Sequence, residues 1–320
     1  MLPHRQVCLV NREEPTTPAA PDPVPPQVAA VLVTYESAAD LPGCVESITR
    51  AAPAGGVDVV VVDNASRDGS AEVARALGLK VIENPGNEGY ARAMNAGAAA
   101  SSSAWVLALN PDTRLTPDAL ARMLATGEAD PAIGCVGPDL RNPDGTAYPT
   151  GRRFPSLAVG GLHALLAPVW PGNPATRHYH MAGSDRSRPV TVDWVSGACM
   201  LLRRSAFEAV GGFDGGYFMY FEDMDLCMRL AQAGWRVLLD PIAKVEHAGG
   251  NSTRKAPYRK VINHHRSSLR FYCRRFARDP RILLAPLVAA GLALRAAVSL
   301  ARTAQTVRSE ASARTGGLPG

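Results

Sequence analysis

The chain has 320 residues and little cysteine chemistry. Its six cysteines, Cys8, Cys44, Cys135, Cys199, Cys227 and Cys273, are scattered, and no CxxC pair occurs. That pattern argues against a zinc cage or a disulfide framework and fits a reducing compartment. The N-terminus lacks the apolar core of a secretory leader. No G-x-G-x-x-G turn follows the first hydrophobic run; Tyr35-Glu36-Ser37 stands there, which counts against a dinucleotide-dependent dehydrogenase. A glycine-rich basic phosphate loop near the N-terminus, as a nucleotidyltransferase would carry, is also missing. Acidic residues nearly vanish late in the chain: between Arg254 and Arg281 only Asp279 is acidic.

What is present points to an ordinary globular core with an appendage. The hydrophobic fraction is 46% and the formal charge +5, enough for one α/β domain plus an extension. Glu13 to Gln27 is rich in proline, alanine and threonine, with too little apolar surface to offset its ordering entropy; residues 1–27 read as a disordered leader. Val28 to Tyr35 then reads as a buried strand. Asp40 is placed to cap the next helix, with Pro42 in its first turn. Val57 to Val62 predicts a second interior strand, ending in the polar turn Asp63-Asn-Ala-Ser-Arg-Asp-Gly-Ser70 before a helix toward Leu77. Lys80 to Glu83 reads as a short strand, Asn84 to Gly89 as a loop, and Tyr90 to Ala100 as a helix. Trp105 to Leu109 is a five-residue apolar run, a strand buried on both faces. A helix from Thr116 or Pro117 to about Thr126 and a strand from Ile133 to Gly137 follow. Strands alternating with helices at this spacing imply a mostly parallel sheet with helices on both faces.

The second half is less regular. Asn142-Pro-Asp-Gly145 predicts a hairpin turn. Gly151 to Ser187 shows no period and reads as a long loop region. Strand character returns from Thr191 to Leu202. Short and stronger helices are predicted over Ser205–Val210 and Glu222–Ala233, and short strands over Trp235–Leu239 and Ala243–Val245. Beyond lies a basic stretch, then an apolar run from Ile282 to Leu294 that ends at Arg295. The run is short for a membrane span. A basic helix beside an apolar one suits an anionic membrane surface; a helical hairpin packed on the domain is the competing reading. Tyr258, Phe271, Tyr272 and Phe276 interleave with the basic residues, but no nucleic-acid module is recognisable, so nucleic acid is not expected as a partner.

Candidate chemistry gathers at strand ends. Proline at 111 stops the 105–109 strand, so Asp112 stands just beyond its carboxyl end, where ligands sit in open α/β sheets. A carboxylate there can hold a hard divalent cation against phosphate oxygens, although Asn-Pro-Asp by itself is also ordinary turn chemistry. Asp63 follows a buried strand at the same edge and can accept hydrogen bonds from a ribose or base. Three acids, Glu222, Asp223 and Asp225, follow a run of aromatics. A solvated helix start accounts for Asp225. It accounts less well for Glu222 and Asp223, which sit in an aromatic wall where burial tunes a general base. His247, after a short strand, could join Asp112 in a mixed metal site, better suited to Mn²⁺ than to Mg²⁺.

These features occur in a fixed order. They comprise Val-Thr34-Tyr35, Val-Asp63-Asn-Ala-Ser-Arg-Asp-Gly-Ser, Asn84-x-x-Asn87-x-Gly-Tyr-Ala-Arg92-Ala-Met-Asn95-x-Gly, and Leu-Asn-Pro-Asp112-Thr. Ser196-Gly-Ala-Cys-Met-Leu-Leu-Arg-Arg, Gly-Gly-Phe-Asp214, Tyr-Phe-Glu222-Asp223-Met-Asp-Leu and His247 complete the series. The series resembles the inverting glycosyltransferases of family 2, from Val28 to about Ser252. The resemblance implies an α/β fold of the GT-A type, a Rossmann-like, mostly parallel central sheet with helices on both faces, plus a helical C-terminal extension. It divides the chain into a domain over 28–255, with a donor half at 28–140 and an acceptor half at 141–255, and an extension over 256–320. Three further stretches, Arg141–Leu157, Leu162–Pro174 and Asp193–Gly197, resemble the branch that moves L-rhamnose from dTDP-L-rhamnose to N-acetylglucosaminyl diphosphoryl polyprenol in actinobacterial cell-wall assembly.

By that resemblance Thr34, Tyr35 and Asp63 contact the nucleoside, and Arg92 and Asn95 line the donor pocket. Asp112 and His247 hold a divalent cation, Mg²⁺ or Mn²⁺, on the diphosphate. Asp223 is the base, with Glu222 and Trp194 near the acceptor. The implied partners are a nucleotide sugar, a polyprenyl-diphosphate-linked sugar and the inner face of the plasma membrane; a homo-oligomer is compatible with the sequence. One departure stands out: the family's DxD is here Asn110-Pro111-Asp112, with one acid lost. A catalytically silent nucleotide-sugar or polyprenyl-phosphate binder is the competing class, and retention of Asp112, Asp223 and His247 argues against it.

Overall fold

The computed structural model describes residues 27–156, 159–161, 166–167, 169–183, 185–249 and 257–315. The predicted leader lies outside these residues except for Gln27, as do Leu157, Leu162 to Leu165 and Ser252.

The valine-rich runs form strands β1 (Val28–Thr34) and β2 (Val57–Asp63), joined through helix α1 (Leu41–Ala51). Helix α2 (Ser70–Ala76), β3 (Lys80–Glu83), α3 (Tyr90–Ala99) and β4 (Trp105–Leu109) follow. Next come β5 (Thr113–Leu115), α4 (Ala119–Glu128) and β6 (Ile133–Arg141). Helix α5 (Pro174–Tyr179) and β7 (Val190–Thr191) lie in the irregular stretch, before β8 (Cys199–Arg203), α6 (Arg204–Ala209), α7 (Glu222–Gln232) and β9 (Arg236–His247).

All nine strands belong to one mixed sheet, ordered β3-β2-β1-β4-β8-β6-β9-β5, with β7 also on β9. Strands β1, β2, β3 and β4 are mutually parallel; β8 runs antiparallel to β4 and to β6, and β9 is parallel to β6. Strands β1 to β4, β6 and β9 therefore point the same way, and their carboxyl ends share one edge. Side-chain alternation along β1 splits the core: Ala30 and Leu32 pack toward α1 and α4, and Val31 toward α3. β4 is buried along its whole length, as its apolar run predicts.

Several boundaries differ from the sequence reading. Asp40 occupies the N-cap of α1, but its side chain makes no capping bond; the helix start closes on the Ser37 carbonyl, which accepts from the Asp40 and Leu41 amides. Helix α4 begins at Ala119, two residues later than Pro117. β6 extends to Arg141, past Gly137. The two short strands expected after Trp235 are one strand, β9, carried through Asp240-Pro241 by a register irregularity against β6. β5, absent from the sequence reading, pairs antiparallel with the end of β9.

The C-terminal region forms α8 (Pro257–Arg275), a 3₁₀ turn (Pro280–Leu284) and α9 (Ala285–Thr315). The packed-helix reading holds for α8. α8 packs on the domain: Phe271 and Tyr272 are buried, and the Ser267 hydroxyl donates to the Met219 carbonyl at 2.8 Å. Its basic face is partly engaged there too, since Arg270 and Arg274 pair with Asp214 at 2.8 and 3.0 Å. α9 continues through Arg295 without a break, and the apolar window within Pro280–Val307 has none of its residues buried.

Candidate active site

The first two β–α turns are laced together through Asp63. This carboxylate is 2% exposed and accepts from the Thr34 hydroxyl at 2.8 Å, the Ser66 amide at 2.8 Å and the Ser66 hydroxyl at 2.5 Å. Ser66 Oγ accepts from the Glu36 amide at 3.0 Å, and Glu36 Oε1 from the Arg67 amide at 2.7 Å. Asp68, rather than Asp63, serves the start of α2, accepting from the Ser70 amide at 3.1 Å. Thr34 and Asp63 thus fix the floor of the sheet edge, and Tyr35, 38% exposed, is the residue of the three that faces outward.

A second loop closes over this floor. The Asn84 amide N–H donates to the Asp63 carbonyl at 2.9 Å, and the Asn64 side chain to the Gly89 carbonyl at 3.3 Å. Gly89 has φ +86°, and a Cβ there would collide with the Phe218 backbone. The Tyr90 amide donates to the Phe218 carbonyl at 2.8 Å, so glycine is needed for this approach. Asn95 is turned toward the protein: its amide donates to the Phe213 carbonyl at 2.8 Å and accepts from the Phe213 amide at 2.9 Å. Arg92 Nε donates to the Gly215 carbonyl at 3.1 Å. Both therefore hold the 212–215 loop, a role the motif did not reveal.

Asp112 and His247 meet because β5 turns back on β9. Thr113 lies opposite His247 in that pairing, and the Ala248 amide donates to the Asp112 carbonyl at 3.0 Å. Asp112 Oδ1 stands 3.3 Å from His247 Nε2, and the Asn110 amide lies 3.4 Å from the same nitrogen. Two donors on one octahedral metal, each at about 2.1 Å and at a right angle, stand about 3 Å apart. The pair fits a divalent cation that takes its remaining ligands from phosphate and water. Among the described residues no cluster of three or more His, Cys, Asp or Glu gathers into a metal cage.

Asp223 stands further along the same edge. The Asn110 amide donates to the Ala198 carbonyl at 3.0 Å, and the neighbouring Gly197 amide to Asp223 Oδ2 at 2.8 Å. Asp223 Oδ1 also accepts from the Met224 amide at 2.8 Å. Gly197 permits this closeness, because a Cβ there would lie 3.2 Å from the Asp223 Cβ. The residues just before this acid pair, Tyr220 and Phe221, both hold positive φ, 70° and 67°, a costly conformation for aromatic side chains. Helix α8 braces this turn through Ser267 on Met219 and through His264, whose ring lies 5.3 Å from that of Phe221.

Burial sets the proton affinities here. Glu222, 7% exposed, is pushed up from 4.5 to about 8 by desolvation and then by the neighbouring Asp223 charge. Asp223 is also raised by desolvation, opposed by its two backbone N–H donors and by the Arg152 charge. The two acids lie side by side and titrate as a pair. Asp225 corrects the sequence reading: it is fully buried, not solvated, and pairs with Arg229 at 2.7 Å and Arg274 at 2.9 Å. Trp194 is 4% exposed and lies under the Arg152 guanidinium, 4.5 Å from its carbon. Tyr90, whose hydroxyl donates to the Gly197 carbonyl at 2.8 Å, and Arg152 were not singled out by the sequence. Tyr90 lay within a motif; Arg152 lies in a stretch without period.

The Glycosyl transferase family 2 profile matches residues 29–211 of this sequence, and that of Glycosyl transferase family group 2 matches residues 174–307. The chain is 39% identical over 279 residues to the N-acetylglucosaminyl-diphospho-decaprenol L-rhamnosyltransferase of Mycobacterium tuberculosis, covering 83% of this chain and 90% of the relative. The mannosyltransferase PcManGT of Pyrobaculum calidifontis, solved with GDP-Man and Mn²⁺, superposes with a TM-score of 0.55 at 20% identity, over 93% of this chain and 81% of that one. GalNAc-T7, solved with UDP, GalNAc and Mn²⁺, gives 0.52 at 17% identity, over 70% and 44% of the two chains. The fold is the one these transferases share.

Proposed function

The chain belongs to glycosyltransferase family 2, and on that premise we propose that it moves L-rhamnose from dTDP-L-rhamnose to a polyprenyl-diphosphate-linked N-acetylglucosamine, with inversion. The observation that carries this reading is the convergence of Asp112, His247 and Asp223 on one sheet edge, reached from three distant stretches. The likeness to the mycobacterial rhamnosyltransferase supports the choice of sugar and acceptor.

In this reading Asp223 takes the proton of an acceptor hydroxyl. The freed oxygen bonds to the anomeric carbon as the bond to the nucleoside diphosphate oxygen breaks on the opposite face. Its raised proton affinity makes Asp223 a better base than an exposed carboxylate. Two backbone donors fix its orientation. Glu222, with its value near 8, holds a proton at neutral pH and donates a hydrogen bond toward the acceptor. Asp112 and His247 would hold a divalent cation, which when bound offsets charge on the departing diphosphate. Thr34, Asp63 and Tyr35 form the nucleoside floor. Arg92 and Asn95 serve the donor site through the loop they hold.

Helix α9 supports a membrane location. Within Pro280–Val307, which takes in the 3₁₀ turn and most of α9, an 18-residue window has a mean hydropathy of 2.0. Eighteen helical residues at 1.5 Å each span about 27 Å, close to the roughly 30 Å hydrocarbon core. An exposed apolar helix beside the basic residues Arg259, Lys260 and Arg266 suits the cytoplasmic face of the plasma membrane, where a polyprenyl acceptor is held.

The test is a panel of nucleotide sugars offered with a polyprenyl-diphospho-N-acetylglucosamine analogue. Transfer is expected from dTDP-L-rhamnose in preference to UDP- and GDP-sugars. Preference for another nucleotide sugar would overturn the donor assignment.

A further inference from the structure

Arg152 is a half-buried cation of this site whose charge acts on Asp223. Its backbone is bridged to that of Trp194, the Arg152 amide donating to the Trp194 carbonyl at 3.0 Å and the Trp194 amide returning at 3.2 Å. The guanidinium carbon lies 4.5 Å from the Trp194 ring centre and 5.9 Å from those of Tyr148 and Tyr179. Three aromatic rings thus surround one half-buried guanidinium, which Tyr179 also engages by a side-chain hydrogen bond. Among the described residues Arg152 takes part in no ion pair, and its Nε is buried without a hydrogen-bond partner. Nearby arginines differ: Arg229, Arg270 and Arg274 are all engaged by Asp214 or Asp225.

The box also lies between the two ends of the site. The Tyr148 ring meets His247 edge-on at 5.5 Å. On the other side, the Arg152 charge acts on the Asp223 carboxyl. A half-buried guanidinium without a contact ion pair is available to an anionic ligand. The planar fork of arginine matches phosphate oxygens, two at a time. The proposed reaction brings two diphosphates to this edge. The donor's is served by Asp112 and His247; the acceptor's is attached to the sugar that Asp223 deprotonates, and Arg152 is the cation whose charge acts on Asp223. Arg152 belongs to the 141–255 half of the chain, which the family resemblance makes the acceptor half.

We propose that Arg152, held by Tyr148, Tyr179 and Trp194, is the subsite for the phosphate joined to the acceptor sugar. This inference rests on the transferase reading above and names what recognises the lipid-linked diphosphate. The subsite selects acceptors that carry an anion next to the sugar over neutral glycosides.

The experiment compares wild type, Arg152→Gln and Arg152→Lys with two acceptors in detergent: farnesyl-diphospho-N-acetylglucosamine and a neutral alkyl N-acetylglucosaminide. Unchanged melting curves establish folding. Arg152→Gln should raise KM for the diphosphate acceptor at least tenfold, with KM for the nucleotide sugar and for the neutral acceptor shifted less than twofold. Arg152→Lys should recover part of the loss. A parallel rise in the donor KM would assign the guanidinium to the donor and overturn the proposal. Equal losses on both acceptors would make it a positioning residue acting through Asp223, and would overturn it as well. If wild type uses neither acceptor, the acceptor assignment fails separately. Binding of inorganic pyrophosphate, with dTDP filling the donor site, then decides: a tenfold weakening in Arg152→Gln supports the subsite, and no change refutes it.

Discussion

Glu222 is the residue whose environment speaks most directly to a measurement. Its carboxyl is buried, and one oxygen, Oε2, has no hydrogen-bond partner. Because its folded value, about 8, lies above the ordinary 4.5, protonation favours the folded state. That contribution is fully present below about 4.5 and is lost as pH rises through about 8. The wild-type melting temperature should therefore fall between pH 5 and 9, by an amount on the order of a few kcal/mol in stability. Glu222→Gln should flatten that fall, as followed by thermal melts across the pH series. An unchanged slope would mean that Glu222 is not the buried acid responsible. At this scale the sequence was legible where a motif carried chemistry. Asp112, Asp223 and His247 were read from such motifs and do lie along one edge. Asp225 was misread because three neighbouring acids at a helix start look alike in sequence, and only packing shows that Arg229 and Arg274 enclose one of them. Arg152 was invisible because its partners, Tyr148, Tyr179 and Trp194, come from three separate segments that only folding brings together.

Among elements, the short ones build the site. β5 has three residues and follows a proline turn, too brief for any periodic signal, yet its pairing with β9 is what sets Asp112 beside His247. The long β1, β2 and β4 runs were legible because strands buried on both faces are nearly all apolar. α8 was legible as basic but not as a brace, since the Ser267–Met219 and His264–Phe221 contacts are long-range. The 84–89 loop makes a sharper claim. Gly89→Ala places a methyl against the Phe218 backbone in a left-handed conformation. The 217–221 turn must then shift, and the acid pair with it. A loss of about 1–3 kcal/mol in urea unfolding is expected, with a larger than tenfold fall in kcat. Near wild-type stability and kcat would show that this close approach does not position the site.

For the whole molecule, α9 is separable from the domain and α8 is not. A cut before Pro257 would remove α8 and with it the partners of Asp214 and of the 219–221 turn. A cut before Pro280 removes α9 and the 3₁₀ turn that leads into it, and leaves α8. That shorter protein should stay folded, leave the vesicle fraction in a flotation assay, and lose activity on long-chain acceptors more than on farnesyl ones. Vesicle binding equal to the full chain would assign membrane contact to α8 instead. Self-association through α9 would show as a dimer that dissociates on the same truncation. The alternating order of strands and helices was enough to give the α/β class. The antiparallel insertion of β8 between β4 and β6 was not, because sequence pattern sets a strand's faces and not its direction.

The central claim is that Asp223 deprotonates the acceptor in a single inverting displacement at this edge. It is tested most directly by the product formed from dTDP-L-rhamnose and polyprenyl-diphospho-N-acetylglucosamine, its linkage read by NMR, with wild type and Asp223→Asn side by side. The account predicts a product of anomeric configuration opposite to the donor's, and a fall in transfer of about 10²–10⁴ in the variant while donor binding persists. Retained configuration, or near-normal transfer by Asp223→Asn, would contradict it.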